Sequence, residues 1–228
     1  MRFYLTCCRI ALLVTPLLTG CVTSPPPKVI MENGQTRIEI RGDERATRPH
    51  THPASLSPET MRALLSGMRV QVQSDRLIGV VKGWSAPLPV FSPADLAAIT
   101  GPLAEALAQA APNEIVTFYR RVNDASIGLA FTTGGLFVQD GLAYIVMANF
   151  WSLPMDAVVR DVPGYMVDPV DQPLLTLGRK FYLLSHKQEQ ADVHLPDWQE
   201  RHPADKTLVV NLALLRPENG RVVPRTSP

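Results

Sequence analysis

Three cysteines and five histidines are the residues of this chain best suited to covalent or metal chemistry. Cys7, Cys8 and Cys21 all stand near the N-terminus, and no cysteine follows. The body of the chain therefore offers no disulfide, no thiolate zinc site and no cysteine nucleophile. His50-Thr51-His52 can put two imidazoles on one side of an extended chain. Pro49 and Pro53 bracket the pair, however, and the stretch reads as linker rather than metal site. His186, His194 and His202 recur at intervals of eight. On a helix that spacing turns by about 80° per step, so it makes no metal stripe. Pro196 also interrupts the stretch, and the three read as solvated loop side chains. A loop that gathered them would still make a metal site.

The remaining motifs carry less. Asp168-Pro-Val-Asp171 brings two carboxylates together without the glycine turn or further acids of a calcium loop, so capping or solvation accounts for them. Asp140 and Asp161 stand in turn contexts, where local backbone bonding is reason enough for an aspartate. Gly134-Gly135 precedes neither a helix nor Lys-Ser/Thr, so it does not read as a phosphate cradle. Thr132-Thr-Gly-Gly135 reads instead as a bend between strands. Neither Gly-x-Ser-x-Gly nor His-Glu-x-x-His occurs. The aromatics suggest surface contact. Phe150-Trp151 closes an apolar run, and Trp198 stands in the polar loop LPDWQERHP. Exposed indoles are common interface anchors, which makes Trp151 and Trp198 the candidate contact residues.

The elements that must position these residues follow from local pattern. Ser57-Pro58-Glu59 combines a hydroxyl cap, a proline at the first helical position and an acid in the first turn, and Gly67 closes the helix. Ser92-Pro93-Ala94-Asp95 repeats the device. Leu96, Ile99, Leu103 and Leu107 then form one apolar stripe. Because the stripe passes through Gly101-Pro102, a kinked helix or two stacked short helices are expected. Strands are expected over Met68–Gln73, Leu77–Val81, Ile115–Arg121, Ile127–Thr132, Leu136–Gln139, Leu142–Phe150, Phe181–Leu184 and Leu208–Leu215. The last is apolar on both sides, the mark of a central strand. Short strands with tight turns, such as Asp140-Gly141, predict an antiparallel sheet. The fold class is α+β: a mainly antiparallel sheet with two or three helices packed on one face.

The N-terminus has a different logic. Arg2 and Arg9 precede the apolar run Ile10–Leu18, which ends in Thr19-Gly20-Cys21. That run has about half the roughly 20 apolar residues of a membrane-spanning helix. A basic start, a short apolar centre and small residues at the end make a signal-peptide pattern. Leu18-Thr-Gly-Cys21 resembles the lipobox of bacterial lipoproteins, a resemblance confined to residues 1–21. It implies cleavage between Gly20 and Cys21, with lipid on the Cys21 sulfur. By the same resemblance Val22, where an aspartate would signal inner-membrane retention, favours the outer membrane.

The expected organisation is a cleaved leader over 1–20 and a lipid-anchored, proline-rich tether over 21–55. A single domain over 56–215 and a flexible tail over 216–228 follow. Val-Thr-Ser-Pro-Pro-Pro27 opens the tether as an extended spacer, and Asn33-Gly34 can turn a small hairpin within it. A formal net charge of +1, with no basic patch, argues against a nucleic-acid surface. The functional expectation is a cell-envelope lipoprotein, facing the periplasm, that binds or scaffolds rather than catalyses and needs no cofactor. It would hold the membrane through Cys21, with an envelope protein or cell-wall component as its partner. An accessory role in a transport or secretion assembly is one variant of this. The competing class is a periplasmic hydrolase or metal enzyme using His186, His194 or His202.

Overall fold

The computed structural model describes residues 25–74, 83–124, 128–154, 168–177, 182–193 and 206–216. Their main feature is a six-stranded antiparallel sheet. In order across the sheet its strands are β1 (Lys28–Glu32), β2 (Thr36–Gly42), β6 (Glu114–Asp124), β7 (Gly128–Gln139), β8 (Leu142–Ser152) and β10 (Thr207–Asn211). A smaller sheet is built on β3 (Met68–Ser74). It pairs with β9 (Tyr182–His186) and with the two-residue strands β4 (Gly83–Trp84) and β5 (Leu88–Pro89).

Two helices precede most of the large sheet. In α1 (Pro58–Gly67) the Ser57 hydroxyl accepts from the Thr60 amide at 3.1 Å. In α2 (Pro93–Gln109) Ser92 and Asp95 form a reciprocal capping box. Pro102 lies inside α2, which nevertheless runs as one helix rather than two. Its stripe, Leu96, Ile99, Leu103 and Leu107, is buried. α2 lies against β1, β2 and β6, and α1 packs on α2. Residues from these helices share one core with Ile38, Phe118, Leu136, Ile145, Met147 and Val210 of the sheet. Leu64, Ile99, Leu103, Ile38 and Val210 are wholly excluded from solvent. Full burial of such a side chain is worth roughly 1.5–3 kcal/mol, so this core carries most of the driving force.

A second cluster, Ile115, Phe137, Tyr144 and Val209, fills the opposite face of the sheet. Residues 168–177 strap this face. Arg41 donates to the Asp171 carbonyl at 3.0 Å. The Asn149 amide donates to Thr133 Oγ1 and the Leu175 carbonyl, both at 2.8 Å, and its Oδ1 accepts from the Leu177 amide at 2.8 Å.

The structure differs from several sequence expectations. The hairpin over 28–42 is not part of a tether. β2 pairs with β6 from Thr36 to Gly42, and its Ile38 and Ile40 belong to the core. Thr132–Gly135 is no bend between two strands, because β7 continues through it, with its register against β8 shifting on either side of Thr133. Its glycines serve close approach instead. A Cβ on Gly134 would lie 2.2 Å from the Val146 carbonyl, and one on Gly135 would lie 2.8 Å from Ile115 and 2.9 Å from Leu174. The strand expected at Leu208–Leu215 stops at Asn211, and β10 is an edge of its sheet, not the centre. It is apolar on both sides because Leu208 and Val210 enter the helix-side core and Val209 the second cluster, while at its outer edge the Val193 amide donates to the Val209 carbonyl at 2.9 Å. Arg216, expected to open a free tail, is held through its backbone by the Gln188 side chain. The strand expected at Leu77–Val81 lies outside the described residues.

Candidate functional site

Of the three histidines spaced by eight, only His186 is described; His194, His202 and Trp198 lie outside the described residues, as do Gly20 and Cys21. His186 is not a solvated loop side chain. Its ring is buried, Nε2 lies 3.2 Å from the Leu64 carbonyl, and Nδ1 accepts from the Gln188 amide at 3.2 Å. Both ring nitrogens are engaged, and the ring fills the space a side chain on Gly67 would need. Burial pushes its pKa down, so the neutral ring is favoured. Among the described residues no group of three metal-ligating side chains converges. Asp168 accepts from the Val170 amide at 2.8 Å, a local turn.

His50 and His52 are likewise buried rather than linker residues. His50 Nε2 donates to Asp43 Oδ2 at 3.1 Å, and the ring stacks on Phe137 with centroids 4.1 Å apart. Phe137 in turn stacks on Tyr144 at 4.7 Å. His52 Nε2 accepts from the Val138 amide at 3.1 Å. Burial pushes the Asp43 carboxyl up, but the bonds from His50 and Arg45 outweigh it and hold it below the ordinary carboxylate value. An aspartate–histidine pair can orient a general base. Here the ring packs against an aromatic of the sheet face, and the pair locks residues 43–52 onto the end of β7.

An open cleft lies elsewhere, where the N-terminus of α2 and β5 approach the ends of β6 and β8. Its volume is about 560 Å³, within the ordinary range for small-ligand sites. Leu88, Pro89 and Val90 from β5 and the loop after it form one wall, Val122 of β6 another, and Phe150 and Trp151 of β8 a third. Asp95 and Arg120 supply its paired charges, and Gln35, Ser92, Arg121 and Asn123 its other polar lining.

Comparison with family models, with curated proteins and with solved structures finds no match.

A β-bulge shapes the aromatic wall. Phe131 pairs with Ser152 and Thr133 with Asn149, so Phe150 and Trp151 together oppose the single residue Thr132. Trp151 has φ +45°, a left-handed backbone that a bulky residue rarely adopts. Strain of this kind costs about 1–3 kcal/mol. The result breaks strand alternation. Two successive aromatic rings lie nearly parallel, with centroids 5.7 Å apart, and both line the cleft. Trp151 remains 38 % exposed and Leu88 47 %, so the cleft has an apolar lip open to solvent.

The polar floor is preorganised. Asp95 Oδ2 accepts from the Ser92 amide at 3.1 Å and from its hydroxyl at 2.7 Å, while Oδ1 accepts from Arg120 Nε at 2.6 Å. Burial pushes the Asp95 carboxyl up, yet these bonds prevail and keep it below its ordinary value. Arg120 Nη1 donates to Thr36 Oγ1 at 2.9 Å and to Gln35 Oε1 at 3.3 Å. A fixed guanidinium among apolar walls can recognise an anion. Sequence reading singled out Trp151 but missed Arg120, Asp95 and Leu88. The Ser92–Asp95 cap was legible. That Asp95 spends its other oxygen on a strand 25 residues away was not.

Proposed function

We propose that this chain is a membrane-anchored cell-envelope lipoprotein, held through lipid on Cys21, whose body acts as a binding module. In this reading both helices pack on one face of the sheet and the cleft beside Trp151 is the contact site. The Leu18–Cys21 resemblance and the charge pattern before it support the anchor, with the outer membrane, periplasmic side, as its place. An envelope protein, a cell-wall component or a transport or secretion assembly would be what it serves.

One observation carries the binding role: the strained, half-exposed indole of Trp151 over an open apolar cleft with a fixed guanidinium in its lining. The competing reading, a hydrolase or metal enzyme built on the loop histidines, loses support at His186, whose ring nitrogens are both hydrogen-bonded in the core. Two experiments test the proposal. Cys21→Ser should abolish incorporation of labelled palmitate and leave an unprocessed precursor; normal maturation of that variant would remove the anchor. A photo-crosslinking amino acid at Leu88 should give a discrete adduct in intact cells, while one at the equally exposed Leu214 should not. The same adducts from both positions would remove the cleft.

A further inference from the structure

We propose that the cleft beside Trp151 takes a small anionic amphiphile of the fatty-acid class, its carboxylate on Arg120 and its tail between Leu88, Val122, Phe150 and Trp151. This deepens the binding-module reading and rests on it.

Charge comes first. The charged side chains that meet at the cleft are Asp95 and Arg120; Arg121, the next residue of β6, also borders it, but strand alternation turns its side chain to the other face. The site for an anion is therefore the part of the Arg120 guanidinium that Asp95 does not use. The Asp95 carboxylate does not compete for that part, since both its oxygens are taken by Ser92 and Arg120. The bonds of Arg120 use Nε and Nη1 only. Nη2 makes no hydrogen bond to the described residues and remains available for a carboxylate. Asp95, Gln35 and Thr36 hold the guanidinium, so little side-chain freedom is lost when an anion docks.

Shape and polarity come next. Apart from these charges and a few neutral polar groups, the walls are aliphatic and aromatic. At about 560 Å³ the space suits a small molecule rather than a folded partner. A sugar or nucleotide would need several polar partners along its length, whereas Gln35, Ser92 and Asp95 are already spent on Arg120 or on one another. A neutral amphiphile would leave Nη2 without the anion that its charge and geometry suit. The bulge places both rings of the Phe150–Trp151 pair where a flat or extended apolar tail can lie along them.

The experiment uses the full chain in phosphatidylcholine vesicles, whose lipids carry no tryptophan, with octanoate and 1-octanol as matched probes. Tryptophan fluorescence should change saturably with octanoate at an apparent Kd at least tenfold below that for octanol. Trp151→Phe should remove the signal. Arg120→Gln should erase the tenfold preference of octanoate over octanol. Leu88→Glu, at an exposed position that does not threaten folding, should weaken both probes about tenfold. Equal binding of the two probes, or an intact preference in Arg120→Gln, would overturn the carboxylate assignment. Absence of saturable binding by either would overturn the amphiphile altogether. The Leu88 cross-link separates this outcome from the parent reading. An adduct that persists in cells and is not displaced by octanoate keeps the binding module and discards the fatty-acid class; loss of both discards both.

Discussion

Asp43–His50 and Asp95–Arg120 are both carboxylates held by a basic side chain near the large sheet, and they differ in what surrounds them. The first is sealed: both side chains are about 5 % exposed or less, and the imidazole lies on Phe137. The second borders an open cleft, with both side chains somewhat more accessible and an exposed indole beside it. A sealed pair can only hold structure, because no ligand reaches it. A pair at a cleft can hold structure and also present a leftover donor. The comparison predicts that breaking the sealed pair harms stability alone, and breaking the open pair harms binding more than stability.

The largest effect belongs to the sealed pair. Asp43→Ala leaves the buried His50 Nε2–H without an acceptor, and it also removes the acceptor of the Arg45 amide. Stranding a buried donor and losing the bond should cost about 2–4 kcal/mol in urea unfolding. Octanoate binding to the remaining folded fraction should be unchanged. A loss below about 0.5 kcal/mol would show that the pair is not what locks residues 43–52. Next comes Arg120→Gln. Its pair with Asp95 is partly accessible to solvent, so the cost should be smaller, about 1–2 kcal/mol, because Ser92 still satisfies one carboxylate oxygen. A stability loss as large as that of Asp43→Ala would erase the proposed distinction between the two pairs.

The contrast also explains what the sequence could reveal. Helices α1 and α2 were legible because Ser57-Pro58 and Ser92-Pro93 satisfy their caps within a few residues. The hairpin at Asp140-Gly141 was legible for the same reason, since its positive φ values belong to the turn itself. His50 and His52 read as linker because two prolines bracket them, while what buries them is long-range: Phe137 and Val138 on a strand more than 80 residues later. Gly134-Gly135 read as a bend because glycine often marks one. The actual demand comes from Phe118, Val146, Ile115 and Leu174, none of them a sequence neighbour. Arg120 sits in an alternating strand like any solvent-facing arginine, and nothing local announces Asp95. The cleft was therefore visible only at Trp151, through its type, and not through the bulge that aims it.

Acidification should produce a smaller effect, in two stages. Burial lowers the pKa of His52 and His186 from the ordinary 6.5. As pH falls below about 6.5 the unfolded chain binds these protons first, so stability is full above that value and declines until the folded-state values are passed. Asp43 and Asp95 are lowered from the ordinary 3.8, so their contribution is present above it and is lost as pH falls through their folded values. Urea midpoints should be level between pH 7 and 8, lower at pH 5 and lower again at pH 3. His186→Gln should flatten part of the decline between pH 7 and 5; an unaltered slope would mean that His186 titrates alike in both states.

The smallest stability change is expected where the comparison is most exposed to failure. Trp151 sits in a left-handed backbone, which asparagine adopts far more readily than a bulky aromatic. Trp151→Asn relieves strain of about 1–3 kcal/mol and removes the buried part of a large apolar ring, so the two terms oppose and the net change should fall within about 1 kcal/mol. Octanoate binding, followed by equilibrium dialysis because the fluorophore is gone, should nevertheless weaken at least tenfold. A ring kept for folding would give the opposite pattern, a large loss of stability with binding intact in the folded fraction. The variant thus asks whether the bulge at Phe150–Trp151 is tolerated for the sake of the cleft, and its two readouts answer in opposite directions.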